Sequence, residues 1–275
     1  MIKIGSLFSG IGGFELGLER AIPNSETIWQ VEQNTYCQGI LKKHWPQAKI
    51  FDDVRNISKD NVEPVNILCG GFPCQDISVA GKMGGLTGER SGLWWEMWRI
   101  IGELRPRIIV LENVANIIRL GGREVLGSLA QIGYDAEWCI VSAKSQGAPH
   151  KRDRWFCVSY PKAKRFKKQF FTKSDEEMLK FVQINIQNDA TNPHSESKPN
   201  SPNNETSLEG DSSNEHNEGR SYWERYAPES PLCSVDDGIP QRVARLKALG
   251  NAIVPQCSEW VGKQIWNSGL LEDLA

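Results

Sequence analysis

Between Met1 and Tyr160, short apolar runs rich in Ile, Val and Leu alternate with longer stretches that are apolar at every third or fourth position. The runs suit strands buried on both faces and the stretches suit amphipathic helices, so the chain reads as an open α/β sheet with crossover helices. Strands are predicted at Ile2–Phe8, Thr27–Val31, Lys49–Val54, Pro64–Cys69, Arg107–Leu111 and Tyr134–Ser142, with one more closing on Trp155–Val158. Helices are predicted at Phe14–Glu19, Asn34–His44, Leu93–Leu104 and Glu124–Ile132, and a last amphipathic one at Cys257–Trp266. Trp94, Trp95 and Trp98 are expected in the core rather than at a binding surface.

In open α/β sheets ligands bind beyond the carboxyl ends of the strands, and here that edge collects the candidate chemistry. Ser9-Gly10-Ile11-Gly12-Gly13 forms a tight turn into the first helix. It is either a backbone cradle for a nucleotide-like ligand or an ordinary βα turn, since the spacing is not Gly-x-Gly-x-x-Gly. Glu32, about twenty residues on, stands where a carboxylate can accept from both hydroxyls of a ribose, and where a solvated strand-end Glu would also sit. Asp53 could accept from an adenine amino group or serve as a turn or cap residue. Gly70-Gly71-Phe72-Pro73-Cys74-Gln75 follows the fourth strand. Pro73 fixes one backbone angle and the glycines permit close approach, which holds the Cys74 thiol up in a cleft unless it is simply a core cysteine. The glycine-rich segment from Gln75 to Gly92 resembles either a lid that closes over a substrate or a disordered surface loop. Glu112 ends the next strand in the same row as Cys74, the most suggestive acid and nucleophile pairing in the chain. Strand alternation should send Arg152 and Arg154 to one side, where they could grip a phosphate and a carbonyl edge or form only a solvated basic turn.

A net charge of −2 over 275 residues makes any nucleic-acid surface local rather than global. The seven cysteines form no Cys-x-x-Cys pair, which argues against a disulfide framework or a zinc site and fits a reducing cytosol. Met1-Ile2-Lys3-Ile4 enters structured sequence without a signal-like leader, and no apolar run reaches membrane-spanning length. A soluble cytoplasmic protein without a metal or a membrane partner is expected. Composition shifts at Pro161, where Lys162, Lys164 and Arg165 begin a basic run flanked by Phe166, Phe170 and Phe171 that suits a phosphate backbone. From Gln187 to Gly219 only Leu208 is large and apolar, too little to fold alone, so disorder or a long exposed insertion is expected there.

Five stretches in one order resemble the DNA cytosine-5 methyltransferase family of bacterial or phage type: Phe8-Ser9-Gly10-Ile11-Gly12-Gly13, Gly71-Phe72-Pro73-Cys74-Gln75, Glu112-Asn113-Val114, His150-Lys151-Arg152-Asp153-Arg154 and Leu249-Gly250-Asn251-Ala252. The resemblance implies a Rossmann-like, mostly parallel mixed sheet flanked by helices, of the class I S-adenosylmethionine-dependent type. It implies a catalytic domain of 1–160 with 238–275 and a short, partly disordered recognition region of 161–237. It further implies S-adenosylmethionine held by Phe8, Gly10, Ile11, Gly12, Gly13, Glu32, Gln33, Asp53, Val54, Gly71, Pro73, Leu93, Asn251 and Ile253. By the same resemblance Cys74 attacks carbon 6 of a flipped cytosine, Glu112 holds the ring near N3, Arg154 braces Glu112, and Arg152 lies near the sulfur or a flanking phosphate. Gln75, Ser78, Lys162, Lys164 and Arg165 would face double-stranded DNA. The last helix would fold back beside the first strand. A monomer is implied, with any cognate restriction endonuclease acting separately. His150 departs from the family's usual Gln at that position.

Three other readings stay open at this point. A tRNA cytosine-5 methyltransferase shares the scaffold, although the Cys-Phe-Thr signature of that branch does not occur here. A catalytically silent DNA-binding regulator would keep the scaffold, but every chemical position is filled and no helix-turn-helix extension precedes the first strand. A nicotinamide oxidoreductase shares the opening glycines and Glu32 but does not call for Pro73-Cys74 or Glu112.

Overall fold

The computed structural model describes residues 1–73, 92–162 and 242–274, all of which belong to one compact unit drawn from Met1–Asp175 and Gly238–Ala275. Among the described residues, one sheet holds β1 (Ile2–Leu7), β2 (Ser25–Val31), β3 (Lys49–Phe51), β4 (Ile67–Gly70), β5 (Ile108–Val114), β6 (Tyr134–Ser142) and β7 (Asp153–Pro161). The spatial order is β3-β2-β1-β4-β5-β7-β6. The first five strands pair in parallel, and β7 runs antiparallel between β5 and β6. The helices are α1 (Gly13–Ala21), α2 (Thr35–His44), α3 (Gly92–Leu104), α4 (Ile117–Leu120), α5 (Gly122–Gln131), α6 (Arg242–Asn251) and α7 (Pro255–Asn267). The expected α/β fold, a mostly parallel mixed sheet flanked by helices, is therefore observed.

The apolar runs are continuous because the sheet is covered on both faces. Ile67 of β4 joins Ile2, Ile4, Phe14, Leu18, Val261 and Ile265 in one core cluster. The next residue, Leu68, points the other way into a cluster with Leu7, Trp29, Met97, Ile101 and Leu129. Trp94 is buried there, while Trp95 and Trp98 pack at its margin, as the sequence led us to expect. Asn34 starts α2 by accepting from the backbone amides of Tyr36 and Cys37, the usual work of an N-cap side chain.

Helix α7 packs on α1 and shares the core cluster of Ile2 and Ile4, so the chain's last long helix closes over its first strand–helix unit. Small residues make the approach possible. A Cβ on Gly17 would overlap Ser258 Oγ and the backbone of Pro255 and Glu259, and one on Gly262 would lie 2.7 Å from Ala21 Cβ. Ser258 Oγ donates to the carbonyls of Gly13 and Pro255, each at 3.0 Å.

Two elements depart from the sequence reading. α6 was not anticipated as a helix, and its apolar Leu246 and Leu249 are 39% and 63% exposed, so no buried stripe announces it. β7 begins only at Asp153, which removes Arg152 from the strand whose alternation was to align it with Arg154.

Replacing Gly17 by Ala should test the seam. Higher helix propensity favours alanine by about 1 kcal/mol, but the clash is with backbone atoms that cannot step aside, and overpacking costs about 1–3 kcal/mol. The clash should win, and urea unfolding should show a lower midpoint for Gly17→Ala than for the parent. A midpoint at or above the parent's would mean the two helices are not in this contact.

Candidate active site

Register aligns the ligand edge. Phe51, Val31, Leu7, Gly70 and Leu111 pair in succession across the five parallel strands. The residues that follow them include Glu32, Phe8, Gly71 and Glu112, which therefore emerge side by side.

The first turn is held in an unusual shape. Phe8, Gly10 and Gly12 have φ of 57°, 56° and 87°, and the two glycines take this left-handed setting without a steric penalty. Gly12 could not carry a side chain in any case, because a Cβ would run into the Trp45 ring. Gly13 opens α1 directly against the Ile253 carbonyl, with no room for a Cβ. Glu32 reaches over the turn: Oε2 accepts from the Gly10 amide at 2.8 Å and Oε1 from the Asn34 amide at 2.7 Å. A fully buried carboxyl, Glu15, lies on the inner side, where Oε1 accepts from Gln30 Nε2 at 3.2 Å. Burial raises its pKa, favouring the neutral acid.

Phe8, Ile11, Leu93 and Ile253 are half-buried, Val54 is buried, and Gln33, Pro73 and Asn251 are exposed. Asp53 is a cap residue, one of the two roles expected of it. Its carboxylate caps the 3₁₀ turn Val54–Asn56 by accepting from the Arg55 amide at 2.9 Å, and it pairs with the Arg55 guanidinium at 2.8 Å. That pairing holds its pKa below the ordinary value.

On the neighbouring strand Glu112 is 9% exposed. Its Oε1 meets Arg154 Nε at 3.0 Å, and Gly71 would place a Cβ 2.8 Å from Oε2 if it had one. The start of the cysteine loop thus lies against the acid because residue 71 lacks a side chain. Burial pushes Glu112 from 4.5 up to about 7, against the opposing pull of Arg154 and then Arg152. Asn113, whose role was not singled out, secures the same loop by donating from Nδ2 to the Phe72 carbonyl at 3.0 Å. A buried amide at a strand end was the signal available for it. Arg152 takes a different partner from its neighbour. It precedes β7 with φ of 36° and donates from Nη2 to the carbonyls of Gly250 and Ala252, each at 2.8 Å. Arg152 lies outside β7, yet its charge reaches Glu112 together with that of Arg154. Lys162 is exposed, while Cys74, Gln75, Ser78, Lys164 and Arg165 lie outside the described residues.

The chain offers two adjoining constellations: a glycine turn with an acid over it, and a half-neutral carboxyl braced by a guanidinium beside a cysteine-bearing loop. The first can hold a nucleoside with a charged tail. The second can exchange a proton with a ring nitrogen near neutral pH. Among the described residues no group of His, Cys, Asp and Glu could hold a metal ion, and no helix is long and apolar enough to cross a membrane.

The Glu112 shift has a sign that can be measured. A carboxyl whose folded pKa exceeds its unfolded one contributes stability that is complete below about 4.5 and is lost as pH rises to about 7, roughly 3 kcal/mol in all. Glu112→Gln should flatten the fall of unfolding free energy across that window, with Glu15 retaining part of the slope because burial raises it too. A parent and variant with parallel pH–stability curves would contradict this.

Residues 2–236 match the family described as C-5 cytosine-specific DNA methylase. The Type II methyltransferase M.Bsp6I of Bacillus sp. (strain RFL6) is 33% identical over 173 residues, covering 61% of this chain and 55% of the relative. M.CviJI of Paramecium bursaria Chlorella virus IL3A, another Type II methyltransferase, is 36% identical over 158 residues, covering 57% and 42%. The chain thus spans about half the length of the curated relatives it matches. The solved Entamoeba histolytica methyltransferase EhMeth shares the fold at a TM-score of 0.54 and 23% identity, over 62% of this chain and 55% of that one. With the match covering most of its residues, the chain belongs to the C-5 cytosine-specific DNA methylase family.

Proposed function

We propose that the chain transfers a methyl group from S-adenosylmethionine to carbon 5 of a cytosine in double-stranded DNA. The observation that carries this reading is Glu112, buried, paired with Arg154 and set against Gly71, three residues before Cys74. S-adenosylmethionine fits the first constellation: Glu32 offers its carboxylate to the ribose, Phe8 a ring to the adenine, and the turn from Gly10 to Gly13 its backbone to the amino-acid end. When bound there, the donor supplies a sulfonium-linked methyl group.

The residues of the chain do the rest. The Cys74 thiolate adds to carbon 6 of the ring, and the displaced electron pair moves toward N3 and the carbonyl oxygen. Glu112, near half protonation at neutral pH, delivers its proton to N3 as that charge builds, while Arg154 keeps the carboxyl aimed and meets the base carbonyl. Carbon 5, now enamine-like, becomes nucleophilic enough to take the methyl group. A base, reached through water, then takes the carbon-5 proton, the sulfur leaves as thiolate, and N3 returns its proton to Glu112, which restores the ring. Because carbon 5 is stacked inside a duplex, the nucleotide must leave the helix. Residues 161–237 read the target, with Lys162, Lys164 and Arg165 on phosphates. A restriction endonuclease of the same specificity, where one exists, acts as a separate protein, and this chain works as a monomer.

Incubation of purified protein with labelled S-adenosylmethionine and either duplex DNA or tRNA should place label in DNA. Label in tRNA alone, or none in any DNA, would overturn the proposal. Cys74→Ala should abolish transfer yet leave cofactor affinity within about twofold, since pocket and sulfur are separate constellations. Cys74→Ser should be equally inactive, an alkoxide being far harder to form than a thiolate. Loss of cofactor binding in Cys74→Ala would count against the assignment.

A further inference from the structure

Arg152 holds a left-handed backbone angle that a non-glycine residue keeps only where its surroundings over-determine it. The surroundings are the two carbonyls it engages. Those of Gly250 and Ala252 flank Asn251 at the end of α6, and Arg152 Nη2 donates to both at 2.8 Å. One residue on, the Ile253 carbonyl sits against Gly13 with no space for a Cβ, and Ser258 Oγ then donates to the Gly13 carbonyl. A single guanidinium nitrogen therefore fixes the connection that backs the glycine turn. Glu112, by contrast, takes its ion pair from Arg154.

We infer that Arg152 is a positioning residue for the cofactor pocket, clamping residues 250–252 so that Ile253 presses on the first turn, rather than a residue that addresses the cysteine or the DNA. The inference rests on the reading of that turn as the S-adenosylmethionine site. Hydrogen bonds from a cationic donor are about twice as strong as neutral ones, so losing both frees the 250–252 connection. Cofactor binding must then restore its order, and affinity falls accordingly.

The test is equilibrium binding of S-adenosylmethionine to the full chain, with steady-state methylation of duplex DNA alongside. Arg152→Ala should weaken cofactor binding and raise KM for S-adenosylmethionine by about tenfold, with kcat and KM for DNA moving less than about twofold. Arg152→Lys keeps the charge and can reach one carbonyl, so it should lie between parent and alanine. It also carries the test if Arg152→Ala does not fold, as judged by circular dichroism. An unchanged KM for the cofactor together with a fallen kcat or a raised KM for DNA would overturn the inference and return Arg152 to the sulfur or a phosphate. Parent protein that fails to bind the cofactor would instead sink the proposed function, whereas parent and both variants binding alike would sink this inference alone.

Discussion

Parallel pairing in one register is the constraint on which this molecule depends. Because Val31, Leu7, Gly70 and Leu111 lie abreast, the next residue of each strand arrives at a common edge without any loop having to carry it there. Glu32, Phe8, Gly71 and Glu112 are those residues. A one-residue slip in any strand would exchange the side chains of the two faces, and since both cores are packed with side chains that slip is strongly disfavoured. The register that gives the sheet its stability also sets the distances of the site.

The same economy explains why the site tolerates so little bulk. Gly71 exists as a gap for Glu112, Gly12 for Trp45 and Gly13 for Ile253. Each is a place where another group occupies the volume of a Cβ, so glycine here serves contact between distant segments. Burial in turn tunes the carboxyls. Glu112 is driven toward neutrality but kept from completing the change by Arg154, while half-buried Asp53, with Arg55 beside it, stays ionised.

Much of this was legible in the order of residues. The apolar runs located the strands, and the carboxylates that follow two of them, Glu32 and Glu112, marked the ligand edge, although β5 continues past Glu112 to Val114. Local pattern could not reveal what is made by contact across the chain. Nothing near Arg152 says that its partners lie at Gly250 and Ala252, and nothing near Gly13 names Ile253. Asp53 followed the nearest competitor for its oxygens, the Arg55 two residues away, a local pairing that sequence spacing permits but does not require. α6 is not marked by a packed stripe at Leu246 and Leu249, which are exposed.

The seam between α1 and α7 carries a consequence for how the chain is made. Phe14, Leu18, Ile2 and Ile4 wait for Val261 and Ile265 to complete their cluster, and those arrive only after most of the chain has been synthesised. At roughly 5–20 residues per second the interval is on the order of tens of seconds, during which the nascent amino-terminal unit shows an oily flank to the ribosome's surroundings. A chaperone that covers that flank during translation, or a truncation that removes Pro255–Asn267, would therefore decide whether the newborn protein matures or aggregates before any chemistry is possible.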